Sequence, residues 1–130
     1  INVIIAQRLV RRICLKCIVS YKLTEKEINN IRQEVDINRF LNTANIKEIR
    51  LYKGKGCSHC NNSGYAGRIG IFEVLDIDDD VRELITNRAN ADQIKQKAID
   101  NGMTTMMEDG LKKAIAGKTT LEEIFRVTKQ

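Results

Sequence analysis

The spacing of hydrophobic and polar positions changes character twice along this chain. Ile1 to Val10 is an apolar run in which Val3, Ile4 and Ile5 favour a strand through β-branching. Ile5, Leu9 and Arg12 also stand at helical spacing, so a short helix is the alternative. Further on the period lengthens. Thr24 and Glu27 form a capping box, Leu23 and Ile28 match a hydrophobic staple, and Ile28, Ile31 and Val35 recur on one face. This predicts an amphipathic helix whose stripe packs on the rest of its own loop, with Phe40 and Leu41 as candidate neighbours. Ile49 and Leu51 alternate with polar residues and predict a short strand. Arg68 to Leu75 (RIGIFEVL), rich in β-branched and aromatic residues, predicts another.

From Asp76 the pattern becomes helical. Asp78, Asp79 and Asp80 crowd a helix start, where negative charge suits the dipole, and Val81, Leu84 and Ile85 form the buried face. Capping here outweighs a reading of the three aspartates as a metal cluster. Asn90 with Gln93 opens a second helix through Ile94, Ala98 and Ile99, closed by Gly102. Thr105 with Glu108 opens a third through Leu111, Ala114 and Ile115, ending at Gly117. Thr120 with Glu123 opens the last, with Ile124, Phe125 and Val127. Met103, Met106 and Met107 are expected to fill gaps in the bundle's core.

The chemistry lies in two pairs of cysteines, Cys14 and Cys17, Cys57 and Cys60. Both read C-x-x-C and together they use every cysteine in the chain. Two such knuckles can complete a tetrahedron of thiolates around zinc. Glycines flank the second knuckle, as backbone turning tightly around a metal requires. Structural zinc is the preferred reading, but an iron–sulfur cluster takes the same four thiolates. Two disulfides fit poorly with a Lys/Asn/Ile-rich sequence that shows no signal peptide. A redox pair would leave one motif idle. Haem attachment fails, because Ile18 and Asn61 stand where a histidine is needed. His59, the only histidine, reads as an exposed knuckle residue. A closed four-sulfur site also leaves no open position for zinc catalysis.

The fold class expected is therefore α+β. A small antiparallel strand pair ends in the tetracysteine site, carries a helical insertion over about residues 18–50, and leads into a bundle of short helices. Two units are expected, residues 1–76 and residues 77–130. The 130 residues include 42% hydrophobic positions and no tryptophan, which suits a small aliphatic core that a metal would staple. No apolar run approaches the ~20 residues of a membrane span. Charge is uneven. Residues 1–56 hold twelve Lys/Arg and five Asp/Glu, a net of +7, and residues 57–130 hold ten and twelve, a net of −2. A basic half with zinc knuckles keeps a zinc-ribbon nucleic-acid-binding module as the alternative. The scarcity of aromatics for base stacking favours a solvated surface or a protein partner instead.

Gly117-Lys118-Thr119 imitates the tail of a phosphate-binding loop. Lys112 stands where that motif needs glycine, and a helix rather than a strand precedes it, so it reads as a cap and a turn. No nucleophile, base and orienting residue form a recognisable catalytic set.

Longer motifs carry a resemblance. Ala6-Gln7-Arg8-Leu9-Val10-Arg11 before Cys14-x-x-Cys17 resembles the segment just past the nucleotide-binding core of the type II secretion and type IV pilus assembly ATPases, the GspE/PilB family. Gly56-Cys57-x-x-Cys60, then Gly64-Tyr65-x-Gly67-Arg68-x-Gly70-Ile71-Phe72-Glu73-Val74-Leu75, is similar to that family's second cysteine motif. Gly102-Met103, Glu108-Asp109-Gly110-Leu111 and Gly117-x-Thr119-Thr120-Leu121-Glu122-Glu123 resemble its C-terminal end. The resemblance implies a cytoplasmic ATPase working as a homo-hexameric ring against an inner-membrane platform protein, with ATP turnover driving pilin or pseudopilin assembly. It implies that the ATP/Mg²⁺ site and acidic motor motifs lie upstream of Ile1, so that this chain is a C-terminal fragment with structural zinc and no hydrolysis of its own. Arg8, Arg11 and Arg68 are then inter-subunit or nucleotide-proximal candidates. Arg12 shares their ambiguity, and structural ion pairs are the commoner use of such residues.

Overall fold

The computed structural model describes residues 3–35 and 49–129. The sequence expectation for Phe40 and Leu41 falls outside these residues.

The chain begins as strand β1 (Val3–Ile13), and β1 pairs antiparallel with β4 (Tyr65–Asp76) from Val3↔Asp76 to Ile13↔Tyr65. Pairing with β4 settles the ambiguity of the first run, because the ladder satisfies the backbone of a β-branched segment that packs poorly as a helix. Where only a strand pair was expected, a second antiparallel pair is present, β2 (Ile18–Lys22) and β3 (Arg50–Gly54), running from Ile18↔Gly54 to Lys22↔Arg50. Strand β2 escaped the sequence reading because Ile18 and Val19 are adjacent and five residues are too few to show alternation. The insertion is thus a hairpin-like excursion whose two limbs pair with each other before the chain returns to β4.

Between β2 and β3 lies α1 (Glu25–Glu34), started by the Thr24–Glu27 capping box. Its stripe of Ile28, Ile31 and Val35 is buried with Leu51 of β3 against two later helices, α4 (Met106–Ile115) and α5 (Leu121–Thr128). Met107, Leu111, Ala114, Leu121 and Ile124 complete this core. Burial of each large aliphatic side chain here stabilises the fold by about 1.5–3 kcal/mol. A second, smaller cluster joins α2 (Asp79–Thr86) to α3 (Ala91–Asp100). In it Val81, Ala98 and Met103 are buried, with Leu75 and Ile77 at the end of β4 beside them. Asp78, Asn90 and Thr105 cap the three helices as expected. Met103 and Met107 are buried and Met106 is half-buried.

The last helix departs from its expected capping box. Thr120 Oγ1 accepts the Glu123 N–H at 3.2 Å, but the Glu123 carboxylate does not return the bond. It reaches β1 instead. Glu123, fully buried, accepts the Arg11 backbone N–H at 2.7 Å and the Arg11 guanidinium at 3.1 Å, and Arg126 donates to both its oxygens at 3.0 Å. Arg11 also lies 4.1 Å above the Tyr65 ring, and the Tyr65 hydroxyl meets Thr120 Oγ1 at 2.9 Å. The false phosphate-loop motif serves the same junction. Gly117 turns the chain at φ +81°, Lys118 O accepts Ile13 N–H, and Thr119 Oγ1 donates to Arg11 O.

Burial alone would push the Glu123 carboxyl up. The Arg126 and Arg11 guanidiniums and the Arg11 N–H outweigh it and hold it at about 2. A carboxyl lowered from its ordinary ~4.3 contributes stability that is complete above that value and lost as pH falls through about 2. Urea titrations should therefore show stability declining from roughly pH 5 to pH 2, with a shallower decline in Glu123→Gln. Glu123→Ala should cost ~2–3 kcal/mol at neutral pH, less than a fully buried pair, because both arginines are half in water.

Candidate metal centre

Both knuckles are built by local backbone geometry. The β1–β4 register shifts between Arg11 and Ile13, where Ala66 and Gly67 of β4 together face the single residue Arg12, so one extra residue enters β4 opposite the approach to the first knuckle. A bulge of this kind re-aims the following side chains. Ile13 and Cys14 are both buried after it, and the Cys14 N–H is anchored on Gly64 O at 2.9 Å. The second knuckle is a single 3₁₀ turn, Ser58–Cys60, which reverses through Asn61 and Asn62, both left-handed. Asparagine tolerates that conformation better than most residues. The strands leaving the knuckles touch backbone to backbone, since a Cβ on Gly54 would collide with the carbonyl oxygen of Gly64.

These constraints bring all four cysteines together. Their sulfurs lie within 4.8 Å of one another, with Cys14–Cys57 at 3.8 Å, Cys17–Cys60 at 3.9 Å and Cys57–Cys60 at 3.7 Å. A regular tetrahedron with metal–sulfur bonds of about 2.3 Å has edges of about 3.8 Å. The sulfurs therefore fit one tetrahedral ion. A polynuclear iron–sulfur cluster spreads its thiolates over several irons and needs wider separations. All four cysteines are free thiols, and none is near the ~2.05 Å of a disulfide.

Backbone donors support the sulfurs. Gly56 N–H points to Cys17 Sγ at 3.3 Å, and Cys60 Sγ receives Cys57 N–H at 3.4 Å and Gly64 N–H at 3.2 Å. Such donors favour thiolate over thiol and orient it, as outer-shell contacts do in metal sites. Burial pushes the Cys60 thiol up, but these two N–H groups and the neighbouring cysteines bring it down to about 6. Cys17 goes the other way, to about 11, because burial and the other three sulfurs outweigh Gly56 N–H. Four thiols this close share their charge unevenly until a cation joins them. His59 is exposed on the knuckle, outside the four-sulfur set.

The arginines singled out in the sequence separate into two places. Arg11 and Arg68 face each other across the β1–β4 ladder and, with Leu9, Val10 and Arg126, line a cavity of about 480 Å³. Arg8 lies opposite Ile71 and lines a different cavity with Glu34, Glu73 and Lys95. Arg8, Arg11 and Arg68 are all exposed, but Arg11 is committed to Glu123. The partner missed from sequence was Glu123 itself. Its capping-box position gave a sufficient local reason for its presence and hid its contact with β1.

Two paired knuckles, each leaving one two-stranded sheet and entering another, with short helices behind them, define a small α+β tetracysteine module. Comparison with known proteins gives the family. Residues 1–126 match the family model described as "Type II/IV secretion system protein". The chain is 42% identical over 125 residues to the type IV pilus assembly ATPase PilB of Thermus thermophilus, covering 96% of this chain and 13% of that protein. It is 38% identical to PilB of Myxococcus xanthus, covering 95% and 21%. With the type II secretion system ATPase E of Vibrio cholerae it shares 35% identity, covering 98% and 23%. The chain belongs to the type II/IV secretion ATPase family. It spans 13% to 23% of the length of these curated relatives. No helix among the described residues is long and apolar enough to cross a membrane.

The Gly54–Gly64 contact gives a direct check on how the centre is assembled. Gly54→Ala should force two backbones apart, cost about 1–3 kcal/mol by overpacking, and lower metal retention against a competing chelator. Gly67→Ala serves as the control. Its Cβ would meet nothing within 4 Å, so only the strain of φ +83° should register, with metal retention unchanged.

Proposed function

We propose that this chain is the zinc-binding, helical C-terminal portion of a secretion or pilus-assembly ATPase, acting as a structural and interaction module. The observation that carries the reading is the set of four sulfurs at tetrahedral spacing, in a chain whose family is that of PilB and of the type II secretion ATPases. Cys14, Cys17, Cys57 and Cys60 would hold one Zn²⁺. When bound, the ion supplies cross-linking rather than chemistry, because four thiolates fill its coordination shell. It would tie the ends of both sheets together and so fix the insertion against α4 and α5.

ATP and Mg²⁺ binding, and the powering of pilin or pseudopilin assembly, belong in this reading to the remainder of the longer protein. So do the homo-hexameric ring, the inner-membrane platform and the cytoplasmic location. Two units, residues 1–76 and residues 77–130, would divide the work between metal binding and helical support. Arg8 and Arg68, both exposed, are the arginines free to meet a neighbouring subunit, while Arg11 serves the fold through Glu123. The nucleic-acid alternative draws no support from the family match.

Protein purified without added metal should carry one zinc per chain by elemental analysis. Chelation should lower its melting temperature and expose four titratable thiols. Iron with visible absorbance, or no metal with folded protein, would refute the zinc reading. The same preparation should hydrolyse ATP no faster than buffer. Turnover that survives repurification would place the phosphate chemistry inside these residues and overturn that part of the proposal.

A further inference from the structure

The segments that build the cysteine site contribute no carboxylate side chain of their own, although Glu27, Asp109 and Glu123 reach them from the helices. Residues 1–24, 49–72 and 110–121 contain no Asp or Glu. These are the segments that form β1, the first knuckle, β2, β3, the second knuckle, most of β4, and the turn after α4. Five cations lie on the parts nearest the sulfurs. Arg12 faces the bulge in β4 two residues before Cys14, and Lys16 lies inside the first knuckle. Lys53 is on β3, and the Lys55 N–H donates to Cys17 O at 3.1 Å. Lys118 approaches through its carbonyl, which accepts the Ile13 N–H. Four of the five are exposed and Arg12 is half-buried. None makes an ion pair among the described residues.

Part of this charge has a local purpose. Four thiolates and one Zn²⁺ sum to −2, which two of the five cations would balance. Three remain in excess. Beside them Leu15, at the tip of the first knuckle, is 68% exposed, the highest value for a large apolar side chain among the described residues. An apolar side chain on a tip held by buried Cys14, with exposed cations on the segments around it, is a surface prepared for a partner of opposite charge with one apolar contact.

The chemistry of the ring selects the partner. Lipid-binding surfaces of this kind present basic amphipathic helices with several large apolar or aromatic residues, whereas here one leucine is available. Single-stranded nucleic acid needs stacking platforms, and Tyr21, Tyr52 and Tyr65 are all partly buried in the fold. We propose that the knuckle end docks an acidic polypeptide segment carrying an apolar residue that packs on Leu15. The cations belong to the chain whether or not zinc is bound, but the rigid tip rests on the zinc reading above.

The test uses the zinc-loaded 130-residue chain and a labelled oligo-glutamate peptide with one central leucine, read by fluorescence anisotropy. Binding should be present at about 50 mM salt and weaken steeply by about 300 mM. Lys16→Glu with Lys55→Glu should weaken it about tenfold or more, and Leu15→Ser, or a peptide with serine in place of leucine, several-fold. Lys26→Glu makes one such charge reversal on α1, half the change of the double variant, and should leave binding intact. No binding at low salt, equal loss in Lys26→Glu, or binding only to phosphatidylglycerol vesicles or oligo-dT overturns the proposal. Zinc content measured on each variant separates the two readings. A variant that keeps its zinc and loses the peptide speaks for the surface, whereas wild-type protein without zinc speaks against the metal site.

Discussion

Four strand ends meet at four sulfur atoms, and the rest of the architecture follows from that meeting. β1 ends just before Cys14 and β2 begins after Cys17, while β3 ends before Cys57 and β4 begins after Cys60. Each knuckle is thus the hinge by which the chain passes from one two-stranded sheet to the other. A two-stranded sheet is marginal by itself in water. Here neither sheet is asked to stand alone, because they share both corners and touch through the Gly54 and Gly64 backbones. Close approach at the corners positions the insertion, and the insertion carries α1 onto α4 and α5.

A second tie works from the opposite direction. Glu123 reaches from the last helix to the first strand and satisfies donors from Arg11 and Arg126 with a single buried carboxylate. The arrangement escapes the usual cost of a buried charge because the donors surround it and the guanidiniums keep contact with water. Tyr65, the first residue of β4, joins the same knot through Arg11 and Thr120. The sulfur corner and the carboxylate tie therefore flank one short stretch of β1, with Arg12, opposite the bulge in β4, between them.

Local signals in the sequence were legible and long-range ones were not. The C-x-x-C pairs, the capping boxes at Thr24, Asn90 and Thr105, and the antiparallel pairing of the strands flanking the knuckles all follow from spacing of a few residues. So does the rejection of Gly117-Lys118-Thr119 as a phosphate loop. Strand β2 was too short to show a period. The stripe of α1 pointed inward as expected, but the sequence offered no way to see that α4 and α5, rather than its own loop alone, would cover it. Glu123 is the instructive case. Its position three residues after Thr120 satisfied a local rule, and the tertiary contact that superseded the rule lies 112 residues away in sequence.

That separation has a consequence for how the protein is made. The β1–β4 ladder joins residues more than fifty positions apart, and the Arg11–Glu123 tie joins residues 112 positions apart. A fold dominated by such contacts must close large loops before any reward arrives, and it folds slowly for that reason. On the ribosome, β1 emerges before its partners and waits as an apolar strand until β4 and then α5 follow. Its isolation lasts while the 112 residues that separate Arg11 from Glu123 are made, and Arg8, Arg11 and Arg12 along it are charges of the kind that oppose self-association of an exposed apolar strand.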